Sequence, residues 1–395
     1  MLLGSVRVMV CASQSKSPAA LICVSHLRWD FVFQRPQHLL TRCARERRCY
    51  YIEEPFYDAE TIPRLDTRQS GKVMVVVPHL PRGAERDAAA IQRRLLDELM
   101  TRERIDSYVL WYYTPMALAF TDHLRPEAIV FDCMDELSAF AHAPAALKEF
   151  EAELLRRATI VFTGGQSLYQ SKRNRHPNVH AFPSSVDVNH FAQARQFATD
   201  PPDQAAIARP RLGFFGVIDE RMDIGIIRGV AAARRDWQIV MVGPVMKIDP
   251  SMLPHGNNIH YLGSKSYDEL PGYIAGWDVA LLPFARNAST RYISPTKTPE
   301  YLAAGKPVVS TSIRDVVRPY GQLGLVRIAD TVDEFVNACG AAMAEDAASR
   351  MREADAFLRQ TSWDGTWAQM RQLLDVAILQ RSARTRAAAA EAAEA

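Results

Sequence analysis

The chain has 395 residues, enough for two domains that each bury a core of their own. Hydrophobic residues make up 48% and charged residues 23%, an ordinary globular balance, and 47 basic against 45 acidic side chains leave a net charge of +2, which argues against a dedicated nucleic-acid binder. The six cysteines (Cys11, Cys23, Cys43, Cys49, Cys133, Cys339) contain no Cys-x-x-Cys pair, so neither a structural zinc nor a disulfide framework is expected, and a reduced, cytoplasmic setting is.

The first twenty residues lack a basic start, and Arg7 interrupts their apolar run, so they read as a loosely ordered lead-in rather than a signal peptide. No stretch approaches the roughly 18 apolar residues that span a bilayer. Any membrane contact would be peripheral, at the inner face. Strand-like runs follow at 20–25, 49–52, 72–77, 107–112, 128–132, 159–162 and 179–182, with helical patterns between them such as 36–44 and 145–155. That alternation is how a parallel sheet covered by helices is written.

Val186-Asp-Val-Asn-His-Phe191 and the polar stretch through Asp203 read as a boundary, which divides the chain into a first domain at 1–190, a linker at 191–209 and a second domain at 210–360. The second domain restarts the alternation at 211–216, 238–243, 259–263, 279–284, 308–310 and 325–328. The predicted class is therefore α/β, with two Rossmann-like domains facing across a cleft. A helix at 361–381 is expected to cross back to the first domain. Residues 382–395 carry no apolar stripe and are expected to be frayed or disordered.

Ligands bind outside the carboxyl ends of such strands, and four stretches there carry chemistry. The loop after the first strand, His26-Leu-Arg-Trp-Asp-Phe-Val-Phe-Gln-Arg-Pro-Gln-His38, offers Trp29, Phe31, Gln34, Arg35 and His38, the aromatic and planar polar groups that grip sugars and anions. The alternative is a loop whose aromatics pin it to the core. Phe131-Asp-Cys-Met-Asp-Glu136 crowds Asp132 and Asp135 at a strand end, where neighbouring carboxylates raise one another's pKa; either could instead cap the next helix.

In Gly213-Phe-Phe-Gly-Val-Ile-Asp-Glu-Arg-Met-Asp223, Gly216 would let a backbone approach a diphosphate, and Arg221 could neutralise it or pair with the acids around it. Gly263 ends the next strand but one and is a further candidate on the donor side. The fourth stretch, Ser294-Pro-Thr-Lys-Thr-Pro-Glu-Tyr-Leu-Ala-Ala-Gly-Lys-Pro-Val-Val309, reads as loop, short helix and strand. Ser294 or Thr298 would cap the helix, and Gly305 would end it. At its start Lys297 and free amides would face a phosphate, while Glu300 could accept two ribose hydroxyls; a solvated amphipathic helix is the plainer alternative.

Glu300-Tyr-Leu-Ala-Ala-Gly305-Lys-Pro307-Val308 resembles the Glu-x-x-x-x-Gly-x-Pro-Val signature of the retaining family 4 glycosyltransferases of the GT-B fold. The 29–38 loop and the 131–136 segment are similar to Trp-x-Phe-x-x-Gln-Arg-Pro-Gln-His and Tyr-Asp-x-x-Asp-Glu of a bacterial subgroup that includes teichuronic acid glycosyltransferases. The resemblance implies a nucleoside diphosphate sugar as donor, with Glu300 on its ribose and Lys297 with the backbone around Thr296 on its diphosphate. Gly216, Arg221, Gly263 and Ser294 would complete the donor side. Asp132, Asp135 and Lys297 would be catalytic, with Trp29, Phe31, Gln34, Arg35 and His38 facing a glycan, lipid-linked or small-molecule acceptor. No metal or other cofactor is implied.

The chain departs from the family at Tyr292, where a second glutamate is usual eight positions before Glu300, and it lacks the family's glycine-rich first loop and its donor-side histidine. A sugar-nucleotide 2-epimerase and a non-catalytic nucleotide-sugar binder therefore stand beside glycosyl transfer as rival functions.

Overall fold

The computed structural model describes residues 19–58, 62–140 and 143–394. The lead-in therefore lies almost wholly outside the described residues. The first sheet contains β1 (Ala20–Val24), β2 (Cys49–Ile52), β3 (Phe56–Asp58), β4 (Arg64–Ser70), β5 (Val73–Pro81), β6 (Tyr108–Tyr112), β7 (Ala128–Cys133), β8 (Ile160–Thr163) and β9 (Val179–Ala181). Its order is β3-β5-β2-β1-β6-β7-β8-β9, with β4 added antiparallel on β5 and every other pairing parallel. Strands β1, β2, β6, β7 and β8 are buried along their whole length, which is why they read as unbroken apolar runs.

The second sheet contains β10 (Arg211–Phe215), β11 (Gln238–Val242), β12 (Ile259–Tyr261), β13 (Val279–Leu282), β14 (Val308–Ser310) and β15 (Arg327–Ile328), all parallel in the order β12-β11-β10-β13-β14-β15. The order reverses between β10 and β13, and in the first sheet between β1 and β6. Those reversals open a crevice at the carboxyl ends of the strands, and the two domains present these edges to each other.

Four helices position the side chains of the cleft: α1 (Arg35–Cys43), α2 (Gln166–Lys172), α3 (Lys297–Ala303) and α4 (Trp363–Glu394). From α4, Trp363, Trp367, Met370, Leu374 and Ala377 enter the first-domain core beside Leu21, Leu39, Val109 and Phe162, so this helix returns from the second domain as expected. It does not stop at residue 381. It runs to Glu394, with every side chain from 381 to 392 exposed. An alanine-rich segment of high helix propensity, elongating a helix already anchored, escapes the cost of nucleation.

Candidate active site

Helix α3 is set by its ends. Gly305, at φ +73°, terminates it, with the Lys306 and Gly305 N–H groups donating to the carbonyls of Tyr301 and Leu302 (3.0 Å each), the pattern a left-handed glycine permits. Its start departs from expectation: neither Ser294 nor Thr298 caps it. Thr296 occupies the cap position without a side-chain bond, and the Thr298 hydroxyl is buried with no hydrogen-bond partner. Tyr301 ties the helix to β10, its hydroxyl accepting from the Phe215 N–H at 3.0 Å.

Lys297 is thereby laid beneath Gly216, at the end of β10. A methyl group at position 216 would sit 2.2 Å from Lys297 Cε, and φ there is +129°, so both space and backbone require glycine. Gly243 backs this turn, since a methyl group on it would meet the Gly216 carbonyl oxygen at 2.0 Å. Among the described residues the Lys297 ammonium has no hydrogen-bond or ion-pair partner; it lies 5.6 and 5.8 Å from the Phe214 and Phe215 ring centres. Burial pushes its pKa down, and burial pushes Glu300 up, with each opposing the other's shift. Glu300 is buried, and its Oε2 has no hydrogen-bond partner.

Across the cleft stands Asp135, half-buried in the loop after β7. Burial raises its pKa, while Arg221, Lys297 and Lys247 of the second domain pull it down and Asp219 raises it. These are the charges it faces. Glu136 beside it is anchored: Lys172 Nζ donates to Glu136 Oε2 at 2.7 Å and to Glu151 at 2.8 Å. Arg221 is held by Asp219 through Nε (3.0 and 3.1 Å) and Nη2 (2.6 Å), so the ion pair and the cleft-facing position coexist; its guanidinium lies 5.7 Å from the Phe140 ring of the first domain. Ser294 and Thr296 are half-buried at the lip of the cleft. Gly263, at φ +69°, accepts from the Gly243 N–H at 2.8 Å and sits at the end of the outermost strand of the sheet.

The first-domain loop requires corrections. Arg35 and Asp132 are each other's partners: Arg35 Nε and Nη2 reach the Asp132 carboxylate at 2.8–3.1 Å, and Nη1 donates to the Phe182 carbonyl at 2.8 Å. Both are fully buried, so Arg35 does not face an acceptor and Asp132 is not a free acid or base. His38 stacks on Trp363 of α4 (4.5 Å, 9°) and lies 5.8 Å from Tyr267 of the second domain. Burial, then Arg42 and His190, lower its pKa to about 3. It belongs to the seam between the domains.

Trp29 is likewise buried, with its indole N–H on Ser70 Oγ (2.9 Å) and its ring against Tyr51. Gln34 starts α1, its N–H donating to Gln37 Oε1 at 3.1 Å. Phe31 alone of the five is largely exposed. Tyr292, where the resembled family has a glutamate, packs on the first-domain core.

The sequence gives no role to His26 within its loop, nor to Phe140, Lys247 and the Gly164-Gly165 pair. The His26 Nδ1 is buried without a partner, and burial and Lys247 lower its pKa to about 4 against a hydrogen bond with the Tyr113 backbone. The Gly-Gly pair directly after an apolar strand was the one available signal. Among the described residues, no group of three or more His, Cys, Asp and Glu is arranged to hold a metal ion, and no helix is long and apolar enough to cross a membrane.

Comparison with known proteins bears on the fold and the family. TuaH of Bacillus subtilis (strain 168), named as a teichuronic acid biosynthesis glycosyltransferase, is 26% identical over 242 residues, 55% of this chain and 59% of TuaH. The match thus spans less than two thirds of that relative. Sucrose-phosphate synthase from Thermosynechococcus elongatus superposes with a TM-score of 0.68 at 14% identity, covering 90% of this chain and 98% of that one. A UDP-forming α,α-trehalose-phosphate synthase from Burkholderia xenovorans, in complex with glucose-6-phosphate, gives 0.65 at 13% identity over 90% and 100%. The described residues therefore have the GT-B fold, and residues 209–345, which carry Gly216, Lys297 and Glu300, match the family described as Glycosyl transferases group 1.

Proposed function

We propose that the protein is a glycosyltransferase, of the hexosyl type, that moves a sugar from a nucleoside diphosphate sugar to an acceptor in the assembly of a cell-surface polysaccharide or glycoconjugate. The observation that carries this reading is the unpaired Lys297 ammonium beneath Gly216, one helical turn from a buried Glu300 carboxyl with an unpartnered oxygen. A diphosphate laid over Gly216 would meet that ammonium, and ribose hydroxyls would donate to Glu300. The Lys297 side chain is half-buried, so the cation is only partly solvated until the anion arrives, and its field acts on the charge that develops as the diphosphate departs.

Lys297 and the backbone amides around Thr296 supply that stabilisation in the place a metal would take, and the transfer retains anomeric configuration. Asp135 meets the donor sugar or the acceptor hydroxyl from the opposite wall. Phe31, exposed in the loop after β1, contributes to the acceptor side. The reaction runs in the cytoplasm, with any membrane contact peripheral. Support comes from the 209–345 match, from the likeness to TuaH, and from the neighbouring synthase being UDP-forming.

The test is incubation with a panel of nucleoside diphosphate sugars, with and without glycan, lipid-linked and sugar-phosphate acceptors, in the presence of EDTA. Acceptor-dependent release of nucleoside diphosphate that survives chelation is expected. No turnover with any donor, donor consumed alone to an epimer, or activity lost to EDTA and restored by magnesium or manganese would each overturn the corresponding part.

A further inference from the structure

The two domains also touch at a point beyond Lys297 and Glu300. Asp315, in a short helical turn of the second domain (Arg314–Val316), is buried against the first domain. Its Oδ1 and Oδ2 accept from the Ser167 N–H at 3.0 and 3.3 Å, and the Ser167 hydroxyl donates to Oδ1. Ser167 lies in the first turn of α2, where no side chain of the first domain caps the free amides. The second domain supplies the cap instead. Burial raises the Asp315 pKa, and these bonds hold it down.

The glycine before α2 has no conformational reason to be glycine. Gly165 sits at φ −173°, ψ 168°, extended backbone open to any residue. What excludes a side chain is the other domain: a methyl group at position 165 would lie 2.3 Å from Asp315 Oδ2 and 2.8 Å from Ser294 Cβ. Gly164 is equally tight on the inner side, where a methyl group would lie 2.9 Å from both the Cα and the carbonyl oxygen of Met134, the residue before Asp135. At the far end of α2, Lys172 grips Glu136, the residue after Asp135. Gly164, Gly165 and the short helix after them thus connect the second domain, through Asp315, to both flanks of Asp135, and Gly165 rests against the segment that leads into Lys297.

We infer that Gly165 and Asp315 are positioning residues: their contact sets the spacing of the two domains and thereby holds Asp135 opposite Lys297 for transfer. The inference rests on the proposed function for its catalytic half, whereas the spacing itself is independent of it.

Gly165→Ala is the sharpest test, because its backbone tolerates alanine and only the approach of the other domain does not. The variant is expected to fold, with the far-ultraviolet circular dichroism of wild type. By small-angle scattering of the full chain it should have a larger radius of gyration than wild type. With the donor that wild type turns over, kcat should fall tenfold or more while nucleoside diphosphate affinity by calorimetry stays within about twofold. Asp315→Ala should reproduce the loss, and Asp315→Asn, whose amide oxygen still accepts from Ser167, should recover part of it.

Scattering identical to wild type would overturn the spacing role, and expansion with full kcat would overturn the positioning role. A parallel loss of nucleotide affinity would assign Gly165 to the donor site instead. If wild type turned over no donor, the proposed function would fail, and the scattering comparison would still decide the contact.

Discussion

At Lys297 and Glu300, burial and function are in tension, since Glu300 is buried and Lys297 half-buried with the charge of each incompletely answered. Leaving such groups unpaired costs stability, so their retention beside a glycine shaped around one of them is most simply explained by a ligand that completes them. Lys297→Ala should lower turnover by about 10², the scale for losing one preorganised stabilising donor. Lys297→Arg should recover only part, because a planar fork does not replace a compact ammonium. Glu300→Gln should weaken nucleoside diphosphate binding by roughly 1.5–3 kcal/mol in calorimetry without unfolding the protein.

The same two groups set a pH dependence. Glu300 ionises at about 7 and Lys297 loses its proton at about 8, and binding needs the ionised carboxylate and the charged ammonium together. Affinity should therefore rise as pH climbs through about 7 and decline beyond about 8; a flat profile across that window would count against both assignments. The sign for folding is opposite on the acid side. A carboxyl whose folded pKa lies above its unfolded value loses stability as pH rises between the two, so the free protein should lose stability from the ordinary carboxylate range up to about 7, and the loss should shrink in Glu300→Gln.

Elements were legible where one physical signal dominated. Strands buried on both faces announced themselves as apolar runs, and Gly305 marked the end of α3 correctly. Strand β4 (Arg64–Ser70) was invisible because it is almost entirely polar and exposed; it exists through pairing with β5 across a turn at Gly71, φ +58°. Arg35 and Asp132 misled for another reason. Each carries chemistry where a ligand would be expected, and only the fold shows that two charges 97 residues apart cancel each other. Removing one partner of a buried pair strands the other, so Arg35→Ala should destabilise the protein by about 3–5 kcal/mol in denaturant unfolding. A variant of wild-type stability that lost only transfer would restore Arg35 to the acceptor side.

Across the whole molecule, the seam is packed with rings: Tyr267 stacks on His190 at 4.1 Å and meets Phe33 at 4.6 Å, while His38 stacks on Trp363. With α4 inserted into the first-domain core as well, the two domains should unfold in one thermal transition, and two well-separated calorimetric peaks would contradict that. The insertion of α4 also bears on biosynthesis. The first sheet ends at Ala181, but Trp363 and the residues that seal its core leave the ribosome roughly 180 residues later, which at about 5–20 residues per second is a delay of some 10–40 s. The domain made first is thus the one finished last. Throughout that interval its apolar groove stands open while the second domain is still being made, which makes the nascent first domain the natural client of a holding chaperone.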